Sequence, residues 1–115
     1  MDLGDSSTIL DREQLRDVTL DDESLMREVV AALIDDTTRQ MVLLSKAIQE
    51  QDATRCMRLA HYSKGACANV GAASAAAVLK HIEKQAANRD FSACQTAFAQ
   101  LTEEVDRLRS AATYL

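Results

Sequence analysis

Apolar residues recur along most of this chain at three- and four-residue steps, which puts them on one stripe of a helix and not on alternating faces of a strand. The longest run is Leu25, Val29, Leu33, Met41, Leu44 and Ile48, with Thr37 filling its gap. Asp21 or Asp22 is placed to cap that helix, and Gln49-Glu50-Gln51 ends it. Asp52 starts a second helix, whose inner face is Cys56, Leu59, Ala60, Ser63 and Cys67. Around Asn69-Val70-Gly71 the chain can turn, since Asn and Gly accept left-handed backbone at helix ends. A third helix from about Ala72 carries Val78, Leu79, Ile82 and Ala86 inward, until Asn88-Arg89-Asp90 breaks it. Asp90 caps the last and most regular one, with Cys94, Phe98, Leu101, Val105, Leu108 and Ala112 inward. Ahead of these, Asp11 to Val18 makes a short helix anchored by Leu10, Leu15 and Val18, and residues 1–8 read as a frayed lead-in. The pattern predicts an all-α fold. Residues 20–115 form an antiparallel up-down four-helix bundle, and residues 1–19 an acidic lead-in with a short helix.

Composition narrows this further. At 115 residues the chain holds one domain. It has 19 alanines, three glycines, no proline, no tryptophan and 3% aromatics. A β-sandwich or a Gly-rich nucleotide fold needs residues this chain lacks. The net charge of −5 argues against a generic nucleic-acid binder. That charge sits at one end: residues 1–24 hold eight acids against two bases, a balance of −6, and the remainder is +1. Cys56, Cys67 and Cys94 are an odd number without metal-finger spacing, so they read as small buried hydrophobes, and a zinc site is not expected. Unpaired cysteines fit a reducing compartment, and no apolar run reaches the length of a membrane span. Met1 opens a polar, acidic stretch and not a signal peptide, so the cytoplasm is the expected location.

One stretch breaks the rules of its own helix. Gly65 falls mid-helix, at a cost of about 1 kcal/mol relative to alanine, in a chain that otherwise favours alanine. His61 lies four residues before it and Lys64 three residues after His61, so the three share one outward stripe. An exposed imidazole is a nucleophile, and a cation one turn away can compensate a phosphoryl group placed on it. The absent side chain at Gly65 clears space for that group and for the protein that delivers it. Helix–helix contact is the other reason for a glycine there. No phosphate-cradling loop or acidic metal cluster accompanies the histidine.

The run Ala60-His61-Tyr62-Ser63-Lys64-Gly65-Ala66-Cys67-Ala68-Asn69-Val70-Gly71-Ala72 resembles the signature of the histidine-containing phosphotransfer (HPt) family, A-H-x-x-K-G-x-x-x-N-x-G-A. The resemblance runs from about residue 20 to the C-terminus, through Leu79 and Ile82-Glu83. It implies a four-helix bundle that carries a phosphoryl group on Nε2 of His61 between receiver-domain aspartates of a two-component phosphorelay. It also implies a receiver that brings its own Mg²⁺, and a hybrid sensor kinase upstream. The carrier would have no cofactor of its own and no autokinase activity. Glu83 stands where the family often has a Glu or Gln that hydrogen-bonds the ring at Nδ1 and leaves Nε2 free. Tyr62-Ser63 departs from the usual small-then-Leu pair, which bears on partner choice and not on the chemistry. The docking face would comprise Met57, Arg58, His61, Lys64, Gly65 and Ala68, on a monomer that binds neither nucleic acid nor membrane. His81, two residues before Glu83, falls on the other side of its helix as an ordinary surface histidine.

Two rival readings make different demands. A helical interaction module without phosphoryl chemistry, serving only as a docking surface, would be favoured by a His61 ring buried and hydrogen-bonded in the core. A redox or metal site would bring the three cysteine sulfurs together.

Overall fold

Aspartates begin four of the helices. In a computed structural model that describes residues 8–115, the side chains of Asp11, Asp22, Asp52 and Asp90 accept from the backbone N–H three residues on, at 3.0–3.1 Å. Each such cap satisfies an orphan donor of the first turn and is worth about 1 kcal/mol. The helices are α1 (Arg12–Val18), α2 (Glu23–Gln49), α3 (Ala53–Val70), α4 (Ala73–Ala87) and α5 (Phe91–Ala112). There is no strand among the described residues.

The helix ends share one device. After α1, α2, α3 and α4 the chain passes through a left-handed residue, and an N–H reaches back five residues to a carbonyl of the last turn. The left-handed residue is Leu20, Gln51, Gly71 or Arg89. Asn69 remains inside α3, so Gly71 alone makes that turn.

The four long helices form a ring in which α2 meets α3, α3 meets α4, α4 meets α5 and α5 closes on α2. The diagonal pairs stay apart, as in the predicted up-down bundle. The shared core runs from Leu33, Leu44 and Ile48 of α2 through Cys56, Ala60 and Cys67 to Leu79, Ile82, Leu101, Val105 and Leu108. Inner positions on α3 are small (Cys56, Ala60, Ser63, Cys67), which lets α4 approach and leaves the bulkier Leu59 half-buried at the seam. For the same reason Ala97 takes an inner place on α5, while Phe98 lies half-buried along the α2–α5 seam beside Ser45 and Ile48. Val78 and Met41 are likewise half-buried flank residues, and Ala112 is half-buried at the end of α5.

The first turns of α2 depart from the predicted stripe. Met26 and Val30 are buried there, Leu25 is exposed and Val29 half-buried. The cause is α1, whose Leu15 joins Met26 and Val30 in a second small core and so sets the buried face of the overhanging part of α2. On α1 itself Val18 is exposed, and Thr19 is buried in its place with its hydroxyl donating to the Leu15 carbonyl. Residues 1–7 of the expected lead-in lie outside the described residues. Thr8 does not fray, since its carbonyl accepts from the Ser74 N–H at 2.7 Å. All three cysteines are free and buried, and burial pushes Cys56 and Cys67 up to about 11. No helix among the described residues is long and apolar enough to cross a membrane.

Candidate functional site

Helix α3 is held at its far end by the strap that precedes α1 and by the first turn of α1 itself. The Asp11 N–H donates to the Gly71 carbonyl at 2.8 Å, and Gln14 Nε2 donates to the carbonyls of Ala68 and Asn69 at 2.6 and 3.2 Å. A Cβ on Gly71 would stand 2.8 Å from the Asp11 carbonyl oxygen, and its φ is +96°. The left-handed backbone favours glycine at position 71, and the space against Asp11 demands it. Capped by Asp52 at its start, tied at its far end and packed along its inner face, α3 presents its outer face away from the core.

On that face His61 is 68% exposed, so the buried ring that would favour the interaction-module reading is not found. Its Nδ1 lies 3.0 Å from Oε2 of Glu83 on α4. An ionised carboxylate only accepts, so this contact puts the proton on Nδ1 and leaves the lone pair on Nε2. Lys64 Nζ donates to the other oxygen of the same carboxylate, Oε1, at 2.9 Å. The Lys64 ammonium, with a smaller contribution from His61, holds the Glu83 carboxyl below its ordinary value against the opposing effect of partial burial. The structure thus brings three of the candidate residues into one contact chain, ring to carboxylate to ammonium.

Gly65 adds open space beside Lys64. A Cβ built on it would find nothing within 4 Å, so no helix packs there. Met57, Arg58, His61, Lys64, Gly65 and Ala68 fall within about 120° of the α3 circumference, with Met57 and Lys64 half-buried and the rest exposed. Beside them an open depression of about 530 Å³ is lined by Gly65 and Ala68 of α3, Ala76 and Ala77 of α4, and Gln14 and Lys80. His81 is exposed on α4, away from this group.

Two features of the site carried no sequence signal. The Tyr62 hydroxyl donates to Asp36 Oδ2 on α2 at 2.9 Å, which raises the tyrosine pKa, and Arg39 lies 3.6 Å from the same carboxylate. Gln14, more than 50 residues away in sequence, lines the depression beside Lys64. Both pairings depend on packing between helices, which local spacing does not encode. The three sulfurs do not converge, although Cys94 is near enough to Cys56 to help raise its thiol pKa: Cys67 contacts Thr37, and Cys94 donates to the Ile82 carbonyl. No three His, Cys, Asp or Glu side chains converge as metal ligands among the described residues.

Residues 28–111 match the Hpt domain family model, well over half of the chain. The chain belongs to the Hpt domain family. Its fold is also that of a solved structure, histidine-containing phosphotransfer protein B (HptB) from Pseudomonas aeruginosa PAO1, with a TM-score of 0.85 at 23% identity over 95% of each chain. No curated protein matches the chain in sequence. Histidine phosphotransfer in a phosphorelay is accordingly the function of this Hpt domain, whose family works with receiver domains and kinases.

Proposed function

We propose that His61 is the phosphoryl carrier and that Nε2 is the atom that bears the group. The observation that carries this reading is the hydrogen bond from Nδ1 to Glu83 on a ring 68% exposed, which supplies one defined, accessible lone pair. In loading, the Nε2 lone pair attacks the phosphorus of a receiver's aspartyl phosphate. The N–P bond forms as the acyl P–O bond breaks, and the receiver's carboxylate leaves. Nδ1 keeps its proton, so the ring becomes cationic facing Glu83. Lys64 compensates the phosphoryl charge, and Gly65 leaves the approach clear. Because phosphoryl transfer needs chiefly positioning and charge stabilisation, a rigid nucleophile and one cation suffice on this side.

The receiver supplies Mg²⁺, and the domain needs no cofactor and has no autokinase activity. Receivers dock over Met57, Arg58, His61, Lys64, Gly65 and Ala68, and a hybrid sensor kinase feeds the relay. The domain works as a cytoplasmic monomer. Incubation with phosphorylated receivers tests the assignment: wild type gains an acid-labile, base-stable label, and His61→Gln gains none while keeping its helical spectrum. Label on His61→Gln would refute it.

A further inference from the structure

Glu83 is shared. One carboxylate accepts from the ring through Oε2 and from Lys64 through Oε1, so in the resting protein the cation meant for a phosphoryl group is already paired. We infer that Glu83 and the phosphoryl group on His61 compete for Lys64, so that loading His61 draws the ammonium off the carboxylate and unloading returns it. This rests on the reading of His61 as carrier.

Charge pairing carries the argument. At rest the Glu83 carboxylate faces a neutral N–H and an ammonium, and the ammonium is its charged partner. Once the N–P bond has formed, the ring is cationic and still faces Oε2, so Glu83 keeps a cation when Lys64 leaves. The dianionic phosphoryl group, with three acceptor oxygens, outcompetes a singly charged carboxylate for the ammonium. Lys64 sits one turn from His61 on α3, its flexible four-carbon stem can swing, and the bare Gly65 beside it leaves room. Each state therefore leaves no charge without a partner. Lys64 and His61 of α3 are the groups that act on the Glu83 carboxyl from the packed helices, and the acid contributed by α2, Asp36, is taken up by Tyr62 and Arg39. The carboxylate is a positioning group for two residues, and it keeps the vacant site from standing as an open cation that would hold any passing anion.

Glutamine at 83 separates the two jobs. Its carbonyl oxygen still accepts from Nδ1, but the amide nitrogen then faces Lys64 and cannot accept, so the ammonium is free for the phosphoryl group. Incubate wild type, Glu83→Gln, Lys64→Ala and the double variant with phosphoramidate and measure the rate of phosphohistidine formation at neutral pH. Wild type must break the Lys64–Glu83 pair in order to load, so the expected effect of Glu83→Gln on uptake is about two- to fivefold more favourable with Lys64 present than in the Lys64→Ala background, the size of a partly exposed ion pair. An effect of Glu83→Gln on uptake that is no more favourable with Lys64 than without it overturns the exchange. The side-chain ammonium resonance of Lys64 in wild type gives a second reading that needs no variant: it must move on loading, and a stationary resonance overturns the exchange. Failure of wild type to load at His61 with any donor would instead overturn the carrier assignment.

Discussion

The middle of α3 and its C-terminal end each carry a glycine, and the two are there for opposite reasons. Gly65 has ordinary helical backbone and open space where a Cβ would go. Gly71 has left-handed backbone and the Asp11 carbonyl where a Cβ would go. Three other helix ends make the same left-handed turn with Leu20, Gln51 and Arg89, so conformation alone does not require glycine here. Contact with the strap does. A glycine crowded by its own protein serves the fold, whereas a glycine with nothing near it, in a helix that would be more stable with alanine, points to something outside the protein.

Substitution at the two positions should therefore separate stability from transfer. The largest effect is expected for Gly71→Ala, which adds left-handed strain and dislodges the Asp11–Gly71 hydrogen bond, a loss of about 2–3 kcal/mol in chemical denaturation. Its folded fraction should still take up label on His61. Gly65→Ala is expected to raise stability by up to about 1 kcal/mol, the helix-propensity gain, while slowing transfer from a phosphorylated receiver. Gly65→Leu should slow it further with the melt little changed. If Gly65→Leu transfers at the wild-type rate, steric clearance is not the role of that glycine.

The smallest effect belongs to Glu83. Its carboxyl is held low in the folded protein, so its contribution to stability is fully present above the ordinary carboxylate value of 4.5 and is lost as pH falls through the lowered folded value. Glu83→Gln should thus be less stable than wild type by less than about 1 kcal/mol at pH 7, and the gap should narrow at a pH well below the ordinary carboxylate value. Paired melts at the two pH values check this. A gap that widens in acid would contradict the direction of the shift.

How legible all this is in the sequence depends on how far apart the interacting residues are. Most of the inner face of α5 and the shared outward face of His61, Lys64 and Gly65 on α3 follow from three- and four-residue spacing on one helix. The first turns of α2 do not follow, because their buried face is chosen by Leu15 of another helix. Only the family resemblance puts Glu83 near the ring, and nothing in the sequence links its second oxygen to Lys64, 19 residues away. The reason for Gly71 lies at Asp11, a contact that exists only once α1 has docked. Side chains that meet within a helix can be read from spacing, and those that meet between helices cannot.

The phosphorylated protein itself offers the most direct test of the carrier. Correlated ¹H–³¹P spectroscopy of the loaded domain at alkaline pH locates the phosphoryl group on an atom. The account predicts a single N–P linkage at Nε2 of His61, with the Nδ1 proton retained. A group on Nδ1 of that ring, or on His81, would contradict it.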